Sequence, residues 1–262
     1  MSWASYPSAL FAGMKKILRG LALPAVGLLF WLIGSHYNLF NSYIVPPPQK
    51  VLTTFIKITA SGYLLDGIFI SLLRVLCGFI IAALLACILV LLLYIFPVLQ
   101  AYIRPSLDFI RHIPPLAIIS LLILWFGIGE TPKVVVVVLA SFFPIFLNLC
   151  NGIEQCDQKL IEVGRAAHMN EWNLFARIIF PSLIPSIMVG LQLGLSYGWR
   201  SLVGAELIAA YSGLGYMIME AREFAKSDVI IIGVLILGII GSIIDSIFLY
   251  FTRSVLTYHK ET

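Results

Sequence analysis

The chain alternates between long apolar runs and short segments that hold most of its charged residues. A membrane-spanning helix needs about 20 mostly apolar residues in succession. Six runs satisfy this requirement, so the pattern predicts an all-α membrane protein with six transmembrane helices. The predicted spans are Gly20–Asn38, Val75–Ile103 (entered from Gly67), His112–Gly129, Val134–Ile153, Ile178–Trp199 and Val229–Thr252. Pro114 and Pro115 must break any longer helix that contains them, so they separate the third span from the second.

The composition agrees with a membrane location. Of the 262 residues, 60% are hydrophobic and 11% are charged, whereas soluble domains average roughly 45–50% and about 25%. This balance excludes a soluble enzyme, a disordered segment and a disulfide-rich secreted module. The four cysteines and the histidines show no metal-ligand spacing, so we expect inert, buried thiols and no metal site. The net charge of +4 fits the positive-inside bias of membrane proteins better than nucleic-acid binding.

The distribution of Lys and Arg between successive connections predicts the orientation. With the N-terminus inside, the inner segments hold eight basic residues and the outer segments hold five, Lys133 among them. The opposite orientation would invert this bias, so we place both termini in the cytoplasm. The predicted organisation is a cytoplasmic N-terminal segment (1–19), one transmembrane domain (20–252) with an internal loop (154–177), and a cytoplasmic tail (253–262).

The internal loop contains two short stretches with apolar residues at helical spacing. The first runs from Leu160 to Ala167. In the second, Asn170 is a candidate N-cap and Pro181 is expected to end the helix. The exposed apolar faces would be covered by lipid headgroups or by a cytoplasmic partner. Four acids and three bases in the loop are a poor match for anionic lipid and favour a partner.

The same loop resembles a known signature. It reads Glu162-Val-Gly-Arg-Ala-Ala-His168 and, after nine residues, Ile178-Ile-Phe-Pro181. This resembles the EAA signature of the permease subunits of ABC importers, which has the form E-A-A-x-x-x-G, nine residues, then I-x-L-P. His168 stands where the family has the glycine of a tight turn. Histidine can adopt the left-handed conformation of such a turn at some cost.

Further segments are similar to the nitrate, sulfonate, taurine and bicarbonate branch of these permeases. Four of them begin at Val45, Arg111, Trp125 and Trp199. The stretch from Ala205 to Val229 is similar to taurine importers in particular. The resemblance implies a type I ABC importer permease fold, a homodimer, and a multi-pass position in a bacterial inner membrane.

The resemblance also implies partners and a solute. It implies two cytoplasmic ATP-binding subunits and an external binding protein that delivers a small anionic or zwitterionic solute. Taurine or another sulfonate is the expected solute, and nitrate, bicarbonate or a vitamin precursor are alternatives. The chain has no Gly-Lys pair and hence no Walker A loop, so ATP and magnesium would bind the partner and this chain would be no enzyme. The residues implied in ATPase coupling are Glu162, Gly164, His168, Trp172, Phe175, Ile178 and Pro181.

Polar residues within the apolar runs are candidates for a solute pathway. A lone Arg at mid-membrane costs roughly 2.5–3.5 kcal/mol on insertion scales. Arg74 therefore either extends to the outer surface or places a cation on the path of the solute. Arg200 and Glu206 differ by about 240° around one helix and cannot pair within it, so each needs a partner elsewhere, with a second protomer as one option. The candidate set is Arg74, Trp199, Arg200 and Glu206.

Other charged residues near the spans are interpreted as structural. Arg104, Asp108 and Arg111 share one helix face, at spacings of four and three, and can neutralise one another. Asp245, near the inner end of the last span, is expected to reach Arg253 or water.

A different class of function is indicated by the segment Gly194-Leu-Ser196-Tyr-Gly198, which matches the G-x-S-x-G nucleophile elbow. An intramembrane serine hydrolase would need a histidine beside Ser196, and His112 is the candidate at membrane depth. Glycines at positions 190, 194 and 198 are also typical of close helix packing, which we favour. A passive channel would leave the internal loop without a role.

Overall fold

The computed structural model describes the backbone of residues 22–258 and the side chains of residues 22–252. All regular elements within these bounds are helical. In chain order they are α1 (Ala22–His36), α2 (Pro48–Ala60), α3 (Tyr63–Ile95), α4 (Leu99–Ile110), a 3-10 turn (Pro115–Ile118), α5 (Ile119–Phe126), α6 (Glu130–Glu154), α7 (Gln158–Ala166), α8 (Glu171–Leu174), a π turn (Phe175–Ile179), α9 (Phe180–Ala209), α10 (Leu214–Glu223) and α11 (Ser227–Tyr258). The predicted N-terminal segment 1–19 and the last four residues of the tail lie outside the described residues.

Four of these helices are long and apolar enough to cross a membrane. They are α3, α6, α11 and the continuous helix formed by α8, the π turn and α9. Helices α4 and α5 pass the same test as a pair that is bent by 81°, and α1 is apolar but shorter. The six predicted spans thus correspond to four long helices, one bent pair and α1.

Several predicted boundaries are wrong. The second span begins at Tyr63 and ends at Ile95 rather than at Ile103. Proline disfavours helical backbone in the residue before it, and Phe96, which precedes Pro97, leaves the helix. The residues after this break form α4. The third predicted span therefore corresponds to α5, the second half of the bent pair. The fifth span continues ten residues beyond Trp199, to Ala209.

Pro181 does not end the loop helix, contrary to the sequence prediction. Helix α8 runs through the π turn into α9, and Pro181 lies in the first turn of α9. A proline has no N–H to donate and its ring crowds the carbonyl four residues back. The π turn ends two residues before Pro181, so the backbone ladder is already altered where that donor is missing. The result is one helix of 39 residues from Glu171 to Ala209.

Helix α6 is the centre of the bundle and packs against both α3 and α9. The predicted glycine stripe makes the α9 contact close. A Cβ atom on Gly194 would lie 2.7 Å from Cγ1 of Ile145, and one on Gly198 would lie 2.4 Å from Oγ of Ser141. Any larger residue there would separate the two helices, so the packing interpretation of the stripe is confirmed.

The bundle has two distinct ends. The loop end contains α7 and α8. The far end contains the start of α3, the start of α6, the end of α9, and α10. Lys133, which was predicted in an outer connection, instead lies in the first turn of α6 and is only 1% exposed.

Candidate coupling loop and solute sites

The internal loop is a compact turn between two capped helices. The side chain of Asp157 accepts a hydrogen bond from the Lys159 amide at the start of α7. The side chain of Asn170 accepts one from the Asn173 amide at the start of α8, as predicted. Between them, His168 has φ 56°. The left-handed backbone expected from the family's glycine is therefore present at this histidine.

Gly164 allows the two short helices to touch. It is buried, and a Cβ atom there would lie 2.8 Å from Cδ1 of Ile178 and 2.9 Å from Cδ1 of Leu174. Behind this contact, Leu174 packs in a cluster with residues at the base of α6 and α9. Phe175 is half-buried in the π turn, and its ring centroid lies 5.4 Å from that of Tyr94. The inner side of the loop is thus fixed to the membrane helices.

The outer side of the loop presents large apolar groups that nothing in the described chain covers. Val163 is 65% exposed and Trp172 is 74% exposed. Glu162 and His168 are exposed beside them. We call these four residues the loop face. Ile178 and Pro181 are half-buried and belong to the supporting layer rather than to the loop face.

At the far end, Arg74 occupies the centre of a buried polar cluster. Its Nε and Nη2 donate to Glu130 at 2.5 and 2.7 Å, and Nη1 donates to Oε1 of Glu206 at 2.7 Å. The remaining donors reach the carbonyl oxygen and the hydroxyl of Ser212, at 2.7 and 2.9 Å. All five guanidinium N–H groups therefore have acceptors. Arg74 is 4% exposed, so it does not extend to the surface.

The same cluster satisfies Glu206, which is fully buried. Glu206 accepts from the Ser71 hydroxyl and from the Gly215 amide, each at 2.9 Å. Lys133 donates to Oε1 of Glu130 at 2.8 Å. We call Arg74, Glu130, Lys133 and Glu206 the clasp. Glu206 finds its partner within the same chain, so the option of a partner across a dimer is not needed.

A glycine makes the clasp geometrically feasible. Gly213 has φ 106°, and a Cβ atom there would lie 2.4 Å from Oε1 of Glu206 and 2.7 Å from Nη1 of Arg74. Sequence reasoning missed Glu130 and Lys133 as partners. The sequence did indicate that partners must exist, because a charged side chain buried in a membrane protein requires a group of opposite charge nearby.

Arg200 and Trp199 lie at a different place, in a groove of about 680 Å³ between α9 and α11. Trp199 is buried and donates from Nε1 to the Leu237 carbonyl at 3.3 Å. Arg200 is exposed, and its guanidinium carbon lies 6.0 Å from the centroid of the Tyr197 ring. The groove is lined by Ser196, Trp199, Arg200, Gly238, Gly241 and Asp245, among others. The predicted pathway set is thus divided between the clasp and the groove.

The structure corrects two further interpretations and leaves a third as a prediction. Asp245 accepts a hydrogen bond from the Ser196 hydroxyl, and the side chain of Arg253, its expected partner, lies outside the described residues. Arg111 pairs with Asp108 at 3.3 Å as predicted, but Arg104 pairs with Glu154 at the end of α6. The expected burial of the cysteines holds for Cys156 but not for Cys77 and Cys87 on the surface of α3.

The hydrolase alternative lacks its required geometry. A nucleophile elbow places the serine on a sharp turn between a strand and a helix, whereas Ser196 lies in the interior of α9. Its hydroxyl is bonded to Asp245. His112 is bonded instead to the Asp108 carbonyl, at 2.5 Å.

Comparison with known proteins gives consistent matches. Residues 75–257 match the family described as binding-protein-dependent transport system inner membrane component. A Bacillus subtilis protein named as an aliphatic sulfonates transport permease, SsuC, is 34% identical over 244 residues, which are 93% of this chain and 88% of that protein. The taurine transport system permease protein TauC of Escherichia coli is 29% identical over 252 residues, covering 94% and 92%. The MetNI methionine ABC transporter, solved in inward-facing conformations, shares the fold at 16% identity and a TM-score of 0.66, over 75% of this chain and 98% of that one.

The fold and these matches define a transmembrane permease of an ABC importer. The chain belongs to the family of binding-protein-dependent transport system inner membrane components, in the nitrate, sulfonate and taurine branch. It is a multi-pass protein of a bacterial inner membrane with a type I importer fold. In such systems the ATPase is a separate subunit, so this chain is not an enzyme. The predictions of family, all-α type I importer fold and location are confirmed, and the cytoplasmic position of both termini stays a prediction.

Proposed function

We propose that this permease forms the translocation pathway of an ATP-driven importer for sulfonates, with taurine-type solutes as the leading candidates. Two copies of the chain form the pathway, and two cytoplasmic ATPase subunits contact the loop face. An external binding protein delivers the solute at the far end. The observation that carries the solute class is the likeness, over about nine-tenths of the chain, to permeases named for aliphatic sulfonates and for taurine.

The loop face supports the ATPase contact. An exposed tryptophan and valine on a loop whose other side is rigidly packed form a surface that is costly to leave in water. Aromatic anchors surrounded by polar residues are typical of protein–protein contacts. Glu162 and His168 provide the polar surroundings beside Val163 and Trp172. Because the loop continues directly into α9, movement of the ATPases would act on a helix that also lines the groove.

The test of the importer is co-expression with candidate ATPase and binding-protein genes of the same organism, followed by purification and uptake assays in proteoliposomes. We expect the ATPase to remain bound to the permease and sulfonate uptake to require ATP. If no ATPase associates with the chain, the proposed coupling is wrong. If the cognate binding protein selects nitrate, bicarbonate or a vitamin precursor instead, the importer class stands and the sulfonate assignment does not.

Charge reversal at Glu162 tests the loop face. Glu162→Arg should leave membrane insertion intact and reduce ATP-driven uptake about tenfold or more, which corresponds to about 1.4 kcal/mol of coupling free energy. Asp66→Arg is the matched control, because Asp66 is exposed on the first turn of α3 at the opposite end. Retention of the ATPase by the control and not by Glu162→Arg supports the assignment. Unchanged uptake in Glu162→Arg would contradict it.

A further inference from the structure

The groove between α9 and α11 holds two charged groups with unused bonding capacity. Arg200 is exposed, and among residues 22–252 no carboxylate oxygen lies within 4 Å of its guanidinium group. Among the side chains of residues 22–252, Asp245 receives one hydrogen bond, from Ser196. A carboxylate has about four acceptor positions, so the described side chains leave most of the bonding capacity of Asp245 unused. Charged groups inside a membrane protein that lack structural partners indicate a solute or ion site.

The two charged residues line the same groove from opposite walls. Ser196 and Arg200 are four residues apart on α9, so their Cβ atoms are about 5–6 Å apart on one helix face. Ser196 holds the carboxylate of Asp245 from the opposite wall. The anchor of the Asp245 carboxylate and the base of the Arg200 side chain are therefore about one helical turn apart along α9. A small molecule with an anionic group beside a cationic group can contact both walls of the groove.

The opposite signs of the two groups constrain the solute. Arg200 alone would attract any small oxyanion, because a guanidinium group can donate two parallel hydrogen bonds to it. Asp245 would repel the same oxyanion at this range, since like charges disfavour each other more strongly away from bulk water. A solute with a cationic group beside its anionic group converts that repulsion into attraction. The pair therefore favours a zwitterion over a simple anion.

The walls of the groove leave room for such a molecule. Gly238 lies on the α11 side, and a Cβ atom built on it has nothing within 4 Å. Trp199 packs against Gly241, where a Cβ atom would lie 3.4 Å from the indole nitrogen. The buried indole forms a fixed floor, and the absent side chain at Gly238 leaves open space above it.

We infer that this groove is a solute site of the permease itself and that it selects short zwitterions. In it, Arg200 binds the sulfonate-type head and Asp245 binds the ammonium group, with Ser196 orienting Asp245. The inference rests on the proposed function and adds a discrimination step within the membrane, separate from the selection made by the external binding protein.

The test measures binding of radiolabelled 2-aminoethanesulfonate and of ethanesulfonate to the purified permease–ATPase complex without the binding protein. Wild type should bind the zwitterion more tightly. Asp245→Asn keeps an acceptor for Ser196 and removes the charge, so it should weaken 2-aminoethanesulfonate about tenfold or more, the usual scale of one lost ionic contact. Ethanesulfonate affinity should stay the same or increase. Arg200→Gln should weaken both ligands.

Asp66→Asn is the control, because it removes an exposed carboxylate at the start of α3, outside the groove. It should change neither affinity. The inference is overturned if wild type binds neither ligand or if Asp245→Asn weakens both equally. Uptake by the complete importer distinguishes this failure from that of the proposed function. If the importer takes up sulfonate but the permease binds neither ligand, only the proposed groove site is wrong. If the importer is driven by ATP but takes up no sulfonate, the proposed solute class is wrong.

Discussion

The clasp and the groove place the same residue type in opposite situations. Arg74 is 4% exposed and uses every N–H donor on two carboxylates and on Ser212. Arg200 is exposed and contacts an aromatic ring, with no carboxylate within 4 Å among the described side chains. Both lie in long apolar helices, and by sequence alone they were assigned to the same pathway.

This difference indicates that the charged groups of the clasp maintain the fold, whereas those of the groove are available to a solute. The clasp contains two cations and two anions, so its net charge is zero and its hydrogen bonds are internally matched. Arg74 and Glu206 are both buried, so removing either one leaves the other uncompensated. The groove contains one cation and one anion that do not bond to each other. Its members can be changed without leaving a buried partner unpaired, so their loss should affect transport rather than folding.

The largest expected loss of stability comes from substitution of Arg74 in the clasp. Arg74→Ala leaves the buried carboxylate of Glu206 without its cation, and loss of one partner of a buried ion pair costs roughly 3–5 kcal/mol. The measurement is thermal unfolding of the purified permease in detergent, together with the yield of monodisperse protein. Arg200→Ala, the same change in the groove, should shift stability by no more than about 0.5 kcal/mol, as for surface substitutions. Equal destabilisation by the two variants would remove the distinction between the sites.

A smaller loss is expected from Glu206→Gln. The amide keeps the shape of the side chain, and its one oxygen can still accept from Ser71 and Gly215. Its NH2 group then faces Nη1 of Arg74 in place of a carboxylate oxygen, so Arg74 loses one of its two carboxylates. The expected cost is roughly 1–3 kcal/mol, the usual range for a hydrogen bond to a charged group. The same thermal assay measures it, and a stability equal to wild type would show that Glu130 alone satisfies Arg74.

In the groove, Gly238→Phe would fill open space without altering Arg200 or Asp245. Gly238→Phe should leave stability within about 0.5 kcal/mol, because the added side chain meets open space. It should lower solute uptake about tenfold, equivalent to about 1.4 kcal/mol of transition-state free energy. Gly27→Phe is the control, since a Cβ atom at Gly27 in α1 also has nothing within 4 Å and lies away from the groove. Normal uptake in Gly238→Phe would argue against passage of solute there.

The smallest effect is expected at Lys133. Its ammonium group donates to Glu130, whose side chain is 62% exposed and still holds Arg74 through two hydrogen bonds. Lys133→Met keeps most of the buried volume and removes an ion pair whose acid is largely solvated, so stability should change by less than about 1 kcal/mol. Denaturation of the detergent-purified protein measures this. A loss as large as that of Arg74→Ala would make Lys133 an equal member of the clasp.

Local patterns predicted the parts of the fold that depend on local chemistry. The membrane spans follow from apolar runs, because the lipid selects composition directly. The cap at Asn170, the left-handed backbone at His168 and the glycine stripe of α9 each depend on residues a few positions apart. The route of the chain through Pro181 was mispredicted, because a π turn can accommodate a proline that a regular helix would reject.

The candidate sites were less predictable because their partners are far apart in the chain. Arg74 and Glu206 are separated by 132 positions, and Ser196 and Asp245 by 49. No periodicity connects such pairs, and tertiary packing alone brings them together. The sequence could show that each buried charge needs compensation, but not whether the compensation comes from the chain or from a solute.

The uninterrupted helix from Glu171 to Ala209 has a mechanical consequence. At 1.5 Å per residue, its 39 residues form a rod of roughly 58 Å. The clasp pins this rod at Glu206, and the coupling loop is at its other end. Ser196 is about 15 Å along the helix from Glu206 and Glu171 about 52 Å. For a rigid tilt of the helix about Glu206, a 5 Å displacement at the loop therefore corresponds to about 1.4 Å at the wall of the groove, about half the length of a hydrogen bond. Because α6 packs closely on α9 at Gly194 and Gly198, such a tilt would carry α6 with it.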